Sequence, residues 1–188
     1  MIWFTSDLHL DHGNIIRFSN RPFKSLDDMN NQLVERWNSK VSEKDTVYIL
    51  GDFAFKREFE FAKQLNGQKF LIPGDHDKLR KEKVYEGNLT ILSPLYDFHS
   101  WSILDEYGNQ RLFVLCHYSM RSWRKSHYAS YHLFGHHHGR LEPYGLSFDV
   151  GVDTNNFYPY SLDDVEEKMK TLKAIVDYRK PPEPPLNA

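Results

Sequence analysis

Five apolar runs in this sequence each end in a short turn that carries ionisable side chains. The runs cover residues 2–4, 47–50, 70–72, 112–116 and 132–134. Their length and residue content predict buried strands. Ionisable groups rarely follow buried strands so regularly unless they satisfy one another or a cation. The sequence therefore predicts a site that is assembled from strand ends.

The turns are rich in aspartate and histidine, and this mixture discriminates among metals. They contain Asp7, His9, Asp52, Asp75, His76, Asp77, His117, His136, His137 and His138. Carboxylate oxygen combined with imidazole nitrogen suits Mn, Fe, Zn, Co or Ni, whereas Ca and Mg favour a shell made almost wholly of oxygen. Gly51 and Gly74 permit a close approach of the backbone beside two of the turns. The pattern indicates a transition-metal site.

The order of these motifs resembles that of the calcineurin-like metallophosphoesterase superfamily. That superfamily has Asp-x-His, Gly-Asp, Gly-Asn-His-Asp/Glu, a lone His and Gly-His-x-His in sequence, and the match spans residues 7–138. The resemblance implies an α/β fold, a two-sheet α/β/β/α sandwich of the metallophosphoesterase type. It also implies two divalent transition-metal ions as cofactors, for which we expect Mn, with Fe, Zn, Ni or Co as alternatives.

The resemblance also assigns a role to each matching residue. The first metal would have four ligands, Asp7, His9, Asp52 and His138. The second would have Asp52, Asp75, His117 and His136, with Asp52 as the bridging carboxylate. His76 is at the position of a residue that contacts the substrate phosphate, and it is the candidate general acid. The implied reaction is attack of a metal-bridging hydroxide on phosphorus.

Two positions depart from the superfamily pattern. Asp75 stands where the superfamily has Asn, so the site gains a carboxylate and would draw in a dianionic phosphate less strongly. Phe55 stands at the position of the second Asp in the longer Gly-Asp-x-x-Asp form of the protein phosphatases. That Asp would orient the catalytic histidine, so its absence leaves Asp77 or a backbone carbonyl as the expected partner of His76.

These observations predict a phosphoesterase that acts on a phosphodiester or a small, nucleotide-like phosphorylated metabolite. A nucleic-acid end remains a possible substrate, but the formal net charge of −2 argues against strong nucleic-acid binding. One alternative is a phosphomonoesterase, including a protein phosphatase. Another is a metal-binding module whose activity is reduced by Asp75. Cys116 is expected to be a buried, inert thiol rather than a nucleophile.

The chain is expected to form one metallophosphoesterase domain over residues 1–180, followed by a proline-rich tail at 181–188. Apolar spacing predicts helices at 26–40, 58–66 and 161–176. The segments 95–104 and 110–116 predict a hairpin around a turn at 106–109.

The sequence lacks an apolar run of about 18 residues and a signal peptide before Asp7, so we expect a soluble, cytoplasmic protein with no membrane partner. The sequence carries no signal for an oligomeric state.

Several further residues could contact a substrate. His12 and Asn14 either border the pocket or belong to a hydrogen-bonded loop. Four arginines could reach a phosphate, with Trp123 as a stacking face: Arg17, Arg21, Arg121 and Arg124. Salt bridges on a solvated surface are the favoured alternative for most of them. His137 is expected to point away from the site because side chains alternate along an extended segment. The segment 118–131 is the candidate specificity loop, since both its ends adjoin ligand motifs.

Overall fold

The computed structural model describes residues 1–77, 84–85, 88–93, 95–104, 108 and 110–175. The predicted tail at 181–188 lies outside these residues, as do the predicted turn at 106–109 apart from Gly108 and residue 176 of the predicted last helix. The described residues contain ten strands: β1 (Ile2–Thr5), β2 (Thr46–Ile49), β3 (Gln68–Leu71), β4 (Val84–Tyr85), β5 (Leu89–Ile91), β6 (Leu95–Leu104), β7 (Gln110–Cys116), β8 (Tyr131–Phe134), β9 (Ser147–Asp149) and β10 (Tyr160–Ser161). They also contain the helices α1 (Asn14–Phe18), α2 (Leu26–Lys40), α3 (Glu58–Gln64) and α4 (Leu162–Lys170), with 3-10 turns at Ser126–Tyr128 and Val152–Thr154.

The strands form two sheets that are mostly parallel. The first has the order β10-β1-β2-β3-β5-β4, with antiparallel pairing at its two outer pairs and parallel pairing between. The second has the order β6-β7-β8-β9, and only its β6–β7 pair is antiparallel. Two such sheets with four helices are consistent with the predicted α/β sandwich, and the predicted pairing of 95–104 with 110–116 is confirmed.

The first sheet packs apolar side chains on both of its faces, as is typical of parallel sheets. Val47 and Ile49 face a cluster that includes Trp37 of α2. Leu50 and Phe4 face the opposite way, into a second cluster shared with β7, β8, β9 and α4. The rings of Phe4 and Phe113 stack with their centroids 5.7 Å apart, and this contact joins the two sheets.

The three predicted helices begin at or next to the predicted residues, whereas the short helix α1 was not predicted. Helix α2 has the predicted bounds, and the Ser25 side chain accepts a hydrogen bond from the Asp28 amide, 3.1 Å away. Helix α4 begins after Ser161 with a reciprocal capping box to Asp164 but ends at Lys170 instead of 176. The prediction was too long because Ile175 packs against a separate cluster around Trp123, so tertiary contacts draw the chain out of the helix. Helix α3 likewise ends two residues early, at Gln64.

Among the described residues, no helix has the length and apolar content needed to cross a membrane.

Candidate metal centre

The turns after β1, β2, β3, β7 and β8 converge on one place. Strands β1, β2 and β3 run parallel, and so do β7 and β8, so within each sheet the turns leave from the same edge. The structure brings together all seven residues predicted as metal ligands: Asp7, His9, Asp52, Asp75, His117, His136 and His138. Asp7, Asp52 and His117 are buried, whereas Asp75 and His136 are exposed.

Ligand atoms in this cluster approach to separations that one ion could bridge. His9 Nε2 lies 3.4 Å from Asp52 Oδ2 and 3.8 Å from Asp7 Oδ1. His117 Nε2 lies 3.7 Å from Asp52 Oδ2. Three overlapping groups have ligand atoms within 4.8 Å of one another: Asp7, His9 and His138; Asp75, His117 and His136; and Asp7, Asp52 and His117. Each of these groups could hold a metal ion.

Three of the candidate ligand atoms are buried and make no hydrogen bond. They are Asp7 Oδ1, His9 Nε2 and His117 Nε2. Buried polar atoms are nearly always paired, because an unpaired one costs about 1–3 kcal/mol. One oxygen and two imidazole nitrogens form a donor set that a divalent transition-metal ion would satisfy. The residues present therefore fit such an ion.

Hydrogen bonds from Nδ1 fix how the imidazoles of His117 and His138 face the cluster. His117 Nδ1 lies 2.7 Å from the carbonyl oxygen of Leu50, which can only accept, so Nδ1 carries the proton and Nε2 presents a lone pair. His138 Nδ1 lies 2.7 Å from Asp153 Oδ2, which favours the same tautomer. Metal-binding histidines commonly have such partners, which raise the basicity of the ligand nitrogen.

A buried arginine supports the same corner of the cluster. Arg21 donates two hydrogen bonds to the Asp153 carboxylate, from Nε at 2.8 Å and Nη2 at 2.7 Å. It also donates to the backbone carbonyls of Asp7, at 2.7 Å, and Leu8, at 3.0 Å. The expectation that Arg21 belongs to a solvated surface or contacts phosphate is wrong, since its side chain is fully buried. Arg21 links the first turn to the residue that orients His138.

Most of the candidate ligands adopt a left-handed backbone. The values of φ are +56° at Asp7, +51° at His9, +53° at Asp52, +71° at His136 and +51° at His138. This conformation is uncommon in residues other than glycine and is enriched at functional sites. Glycine is needed where the turns touch: a Cβ at Gly51 would overlap the His117 ring, and one at Gly135 would overlap the side chains of Ser6 and Asp7.

The left-handed residues also correct the expectation for His137. Because His136 and His138 have positive φ, the segment is not extended, and alternation of side chains does not apply. His137 Nε2 instead lies 3.1 Å from the hydroxyl of Ser119. His137 belongs to none of the three candidate metal groups, in agreement with the prediction that it is not a ligand. The predicted cause, an extended segment with alternating side chains, was wrong.

Burial changes the proton affinity of the first turn when no cation is bound. It raises the pKa of Asp7 to about 6 and lowers the pKa of His9 to about 2. Burial alone would lower the pKa of His138, but the hydrogen bond to Asp153 holds it above its usual value. A buried neutral His9 keeps its nitrogens available as ligands across the physiological range.

His76 lies beside the cluster with its ring partly open to solvent. Its side chain is 46% exposed, and Nε2 is 3.9 Å from Asp52 Oδ2. The expectation that Asp77 could be its partner is wrong. Asp77 accepts hydrogen bonds from three amides instead, those of Asp52 at 2.7 Å, Gly74 at 2.8 Å and Phe53 at 3.0 Å. Asp77 thus clamps the second and third turns together.

A cleft of about 380 Å³ opens onto the cluster. Candidate ligands and His76 line one part of it, and His12, Phe18, Phe55 and Arg140 line another. His12 and Phe55 stack with ring centroids 3.9 Å apart, and the Phe55 ring is 4.7 Å from that of His76. Phe18 and Phe55 remain 54% and 37% exposed. His12 therefore borders the cleft, whereas Asn14, the first residue of α1, is not among its lining residues.

With this geometry in place, comparison with known proteins identifies relatives of the chain. No protein-family model matches it. The chain is 32% identical over 192 residues to the uncharacterized protein MJ1445 of Methanocaldococcus jannaschii, across 94% of this chain and 97% of that protein. The chain belongs to the same family as MJ1445.

Two further proteins are similar to the chain, one in part of its sequence and one in its fold. The gene 66 protein of Mycobacterium phage D29 is 34% identical over 111 residues, which cover 55% of this chain and 50% of the phage protein. The crystal structure of the protein of unknown function AQ665 from Aquifex aeolicus superposes with a TM-score of 0.65 and 22% identity, over 89% of this chain and 98% of that one. The latter similarity shows that the fold is shared.

Three residues outside the predicted ligand set differ in how well the sequence predicted them. Trp123 is buried and donates from Nε1 to the carbonyl oxygen of Ser130, 3.1 Å away, so it offers no face for stacking. Cys116 is buried as expected, and burial raises the pKa of its thiol, which makes it a poor nucleophile. Asp153 was missed, although the run at 146–150 followed by Gly151 and Asp153 repeats the pattern of the other turns.

Proposed function

We propose that the protein is a metal-dependent phosphoesterase of the calcineurin-like type, with the α/β/β/α sandwich of that superfamily. Its substrate would be a phosphodiester or a small, nucleotide-like phosphorylated metabolite. The observation that carries the proposal is the set of buried, unpaired ligand atoms, Asp7 Oδ1, His9 Nε2 and His117 Nε2, whose residues belong to overlapping candidate metal groups at the strand ends.

Two divalent transition-metal ions, for which we favour Mn, would share the cluster. Asp7, His9, Asp52 and His138 would hold the first; Asp52, Asp75, His117 and His136 would hold the second. The short distances from Asp52 Oδ2 to both His9 and His117 support Asp52 as the shared ligand. When bound, such a pair supplies Lewis-acid activation of water and neutralises charge on the phosphoryl group.

The remaining chemistry would fall to His76. In hydrolysis, water adds to phosphorus, the bond from phosphorus to the departing ester oxygen breaks, and that oxygen needs a proton. His76 is exposed in the cleft next to Asp52, so its Nε2 can reach a substrate and donate that proton. Its backbone amide donates to Asp52 Oδ1, 3.0 Å away, and this hydrogen bond fixes the position of the residue.

The lining of the cleft supports a substrate that carries a ring. Phe18, Phe55 and His12 form an aromatic wall beside the cluster, and two of these rings are substantially exposed. Stacking on an aromatic side chain contributes about 1–3 kcal/mol per base. Phe55 also disfavours a protein phosphatase, because it replaces the carboxylate that would orient the catalytic histidine with an apolar ring.

A second candidate is a metal-binding module with reduced turnover, and Asp75 is the observation that favours it. Its carboxylate is 47% exposed at the edge of the cluster, so its charge would oppose an approaching phosphate directly. This candidate shares the metal ligands with the first and differs from it in rate alone.

One set of assays tests both candidates. Metal-stripped protein is reloaded with Mn and given a nitrophenyl monoester and a bis-nitrophenyl diester, with Asp75→Asn as the paired variant. We expect turnover with a preference for the diester. A preference for the monoester would replace the diesterase by a phosphomonoesterase. Turnover in Asp75→Asn alone would favour the module, and failure of both proteins to bind Mn would refute the proposal.

A further inference from the structure

Asp75 has a partner that the sequence did not suggest. The hydroxyl of Tyr118 donates a short hydrogen bond to Asp75 Oδ1. The other oxygen, Oδ2, lies 3.4 Å from His136 Nδ1. The two oxygens of this carboxylate therefore face different groups, one a neutral phenol and the other a candidate ligand of the second metal.

The ring of Tyr118 is fixed by two further candidate ligands. It makes edge contacts with His117, at a centroid distance of 5.1 Å, and with His136, at 5.3 Å. The residue is nevertheless 43% exposed, so its hydroxyl sits at the border between the cluster and solvent. A side chain so placed can be changed without opening the core.

The position of Asp75 creates a problem that this hydroxyl is suited to reduce. A carboxylate makes the site one charge more negative than a carboxamide would, and it offers no N–H to a phosphate oxygen. A hydrogen bond donated to a carboxylate withdraws part of its negative charge.

We propose that Tyr118 is a positioning residue for phosphoester binding: its hydroxyl turns Asp75 Oδ2 towards His136 and offsets the charge that Asp75 adds to the site. The phenol has a single O–H and uses it to donate a hydrogen bond to Asp75, so Tyr118 acts on the substrate through Asp75. This inference rests on the proposed function and concerns the same site. It predicts that the effect of the hydroxyl depends on which residue occupies position 75.

A double-mutant cycle tests this dependence. The cycle compares four proteins: the unsubstituted protein, Tyr118→Phe, Asp75→Asn and the double variant. Each is stripped of metal and titrated with Mn²⁺ in a calorimeter, and the Mn-loaded protein is then titrated with inorganic phosphate. Tyr118→Phe should weaken phosphate binding about tenfold in the given chain, the size of one hydrogen bond to a charged group. In the Asp75→Asn background it should change phosphate binding by less than about twofold.

The following results would overturn the inference. An equal loss in both backgrounds would mean that the hydroxyl acts without Asp75, and no loss in either would mean that it is irrelevant to phosphate. Loss of a bound Mn²⁺ in Tyr118→Phe would make the hydroxyl a structural support of the metal site. Absence of Mn binding in the given chain would refute the proposed function and this inference together. Bound Mn and diester turnover without coupling between the two positions would refute this inference alone.

Tyr144→Phe is the matched control. Tyr144 is 42% exposed, almost the same as Tyr118, and it is not among the residues that line the cleft. The change removes a hydroxyl from a similarly placed ring that keeps its contact with Arg121, 4.8 Å from the ring centroid. Phosphate binding in this variant should equal that of the given chain.

Discussion

Asp153 offers a sharp test of how the candidate metal centre is held. It is not a proposed ligand, yet it accepts hydrogen bonds from Arg21 Nε, from Arg21 Nη2 and from His138 Nδ1, all at 2.7–2.8 Å. Asp153→Asn keeps the size of the side chain and removes its charge. The amide nitrogen of Asn then takes the place of Oδ1, facing Arg21 Nε, or of Oδ2, facing Arg21 Nη2 and His138, and neither arrangement restores all three hydrogen bonds.

Two losses follow from this geometry. His138 Nδ1 would face a neutral amide in place of a carboxylate, so its tautomer would be held less firmly, and changes of this kind typically cost about 10–100-fold in metal affinity. Arg21, whose side chain is fully buried, would lose its counter-charge. Breaking a buried ion pair costs about 3–5 kcal/mol, and the lower end applies here because Arg21 keeps its hydrogen bonds to the carbonyls of Asp7 and Leu8.

The two effects are measured separately. Calorimetric titration with Mn²⁺ should show one site weakened by at least about tenfold, and urea unfolding of the metal-free protein should give a free energy of unfolding lower by about 3 kcal/mol. Glu35→Gln, an exposed change of the same type in α2, is the control and should alter neither quantity. Unchanged Mn affinity in a folded Asp153→Asn protein would refute the role assigned to the hydrogen bond with His138.

Three further predictions follow from single side chains. His76→Ala should lower diester turnover at least about 100-fold while Mn binding is unchanged, and loss of Mn would make His76 a ligand instead of an acid. Two diester substrates test the aromatic wall: nitrophenyl phenyl phosphate and nitrophenyl methyl phosphate. Phe55→Ala should lower the ratio of turnover on the phenyl ester to turnover on the methyl ester by about fivefold or more, and an unchanged ratio would exclude stacking on the aromatic wall. Burial lowers the pKa of His132 to about 4 in the folded protein, against 6.5 in the unfolded chain. Between these two pH values only the unfolded chain protonates His132, so the free energy of unfolding falls as the pH falls. Urea unfolding of the metal-free proteins between those pH values measures this effect. The free energy of unfolding of His132→Phe should depend on pH less steeply than that of the unsubstituted protein, by about 1.4 kcal/mol per pH unit, and an identical slope would contradict the shift in the pKa of His132.

Local signals were enough to predict the elements that local contacts define. Helix α2 was predicted with its observed bounds because its cap and apolar stripe lie within the helix itself. The end of α4 was not predictable in this way, because Ile175 is held by Trp123, which lies far away in the sequence. The sequence likewise gave no indication that Arg21 would be buried, because its partner Asp153 is 132 residues away.

The candidate ligands were predictable because one choice of residue serves two physical requirements. The turns need a left-handed backbone at Asp7, His9, Asp52, His136 and His138, which would ordinarily favour glycine. Glycine has no ligand atom, whereas Asp and His both tolerate this conformation better than most residues and coordinate metals. Asp or His directly after a strand therefore encodes the turn and the ligand together.

The same backbone explains how the turns keep their shape. Each left-handed residue other than glycine costs about 1–3 kcal/mol, so the surrounding structure must supply the difference. The amide of Asp7 donates to the carbonyl oxygen of Gly51 at 3.0 Å, and that of His9 to Asp52 at 2.9 Å, so the first turn is hydrogen-bonded along its length to the second. Asp77 of the third turn then accepts from the amides of Asp52 and Phe53 and so ties the second turn to the third. Because these bonds run between turns and use no ligand atom, the backbone of the cluster is organised by the protein itself, and the unpaired atoms of Asp7, His9 and His117 remain available for an ion.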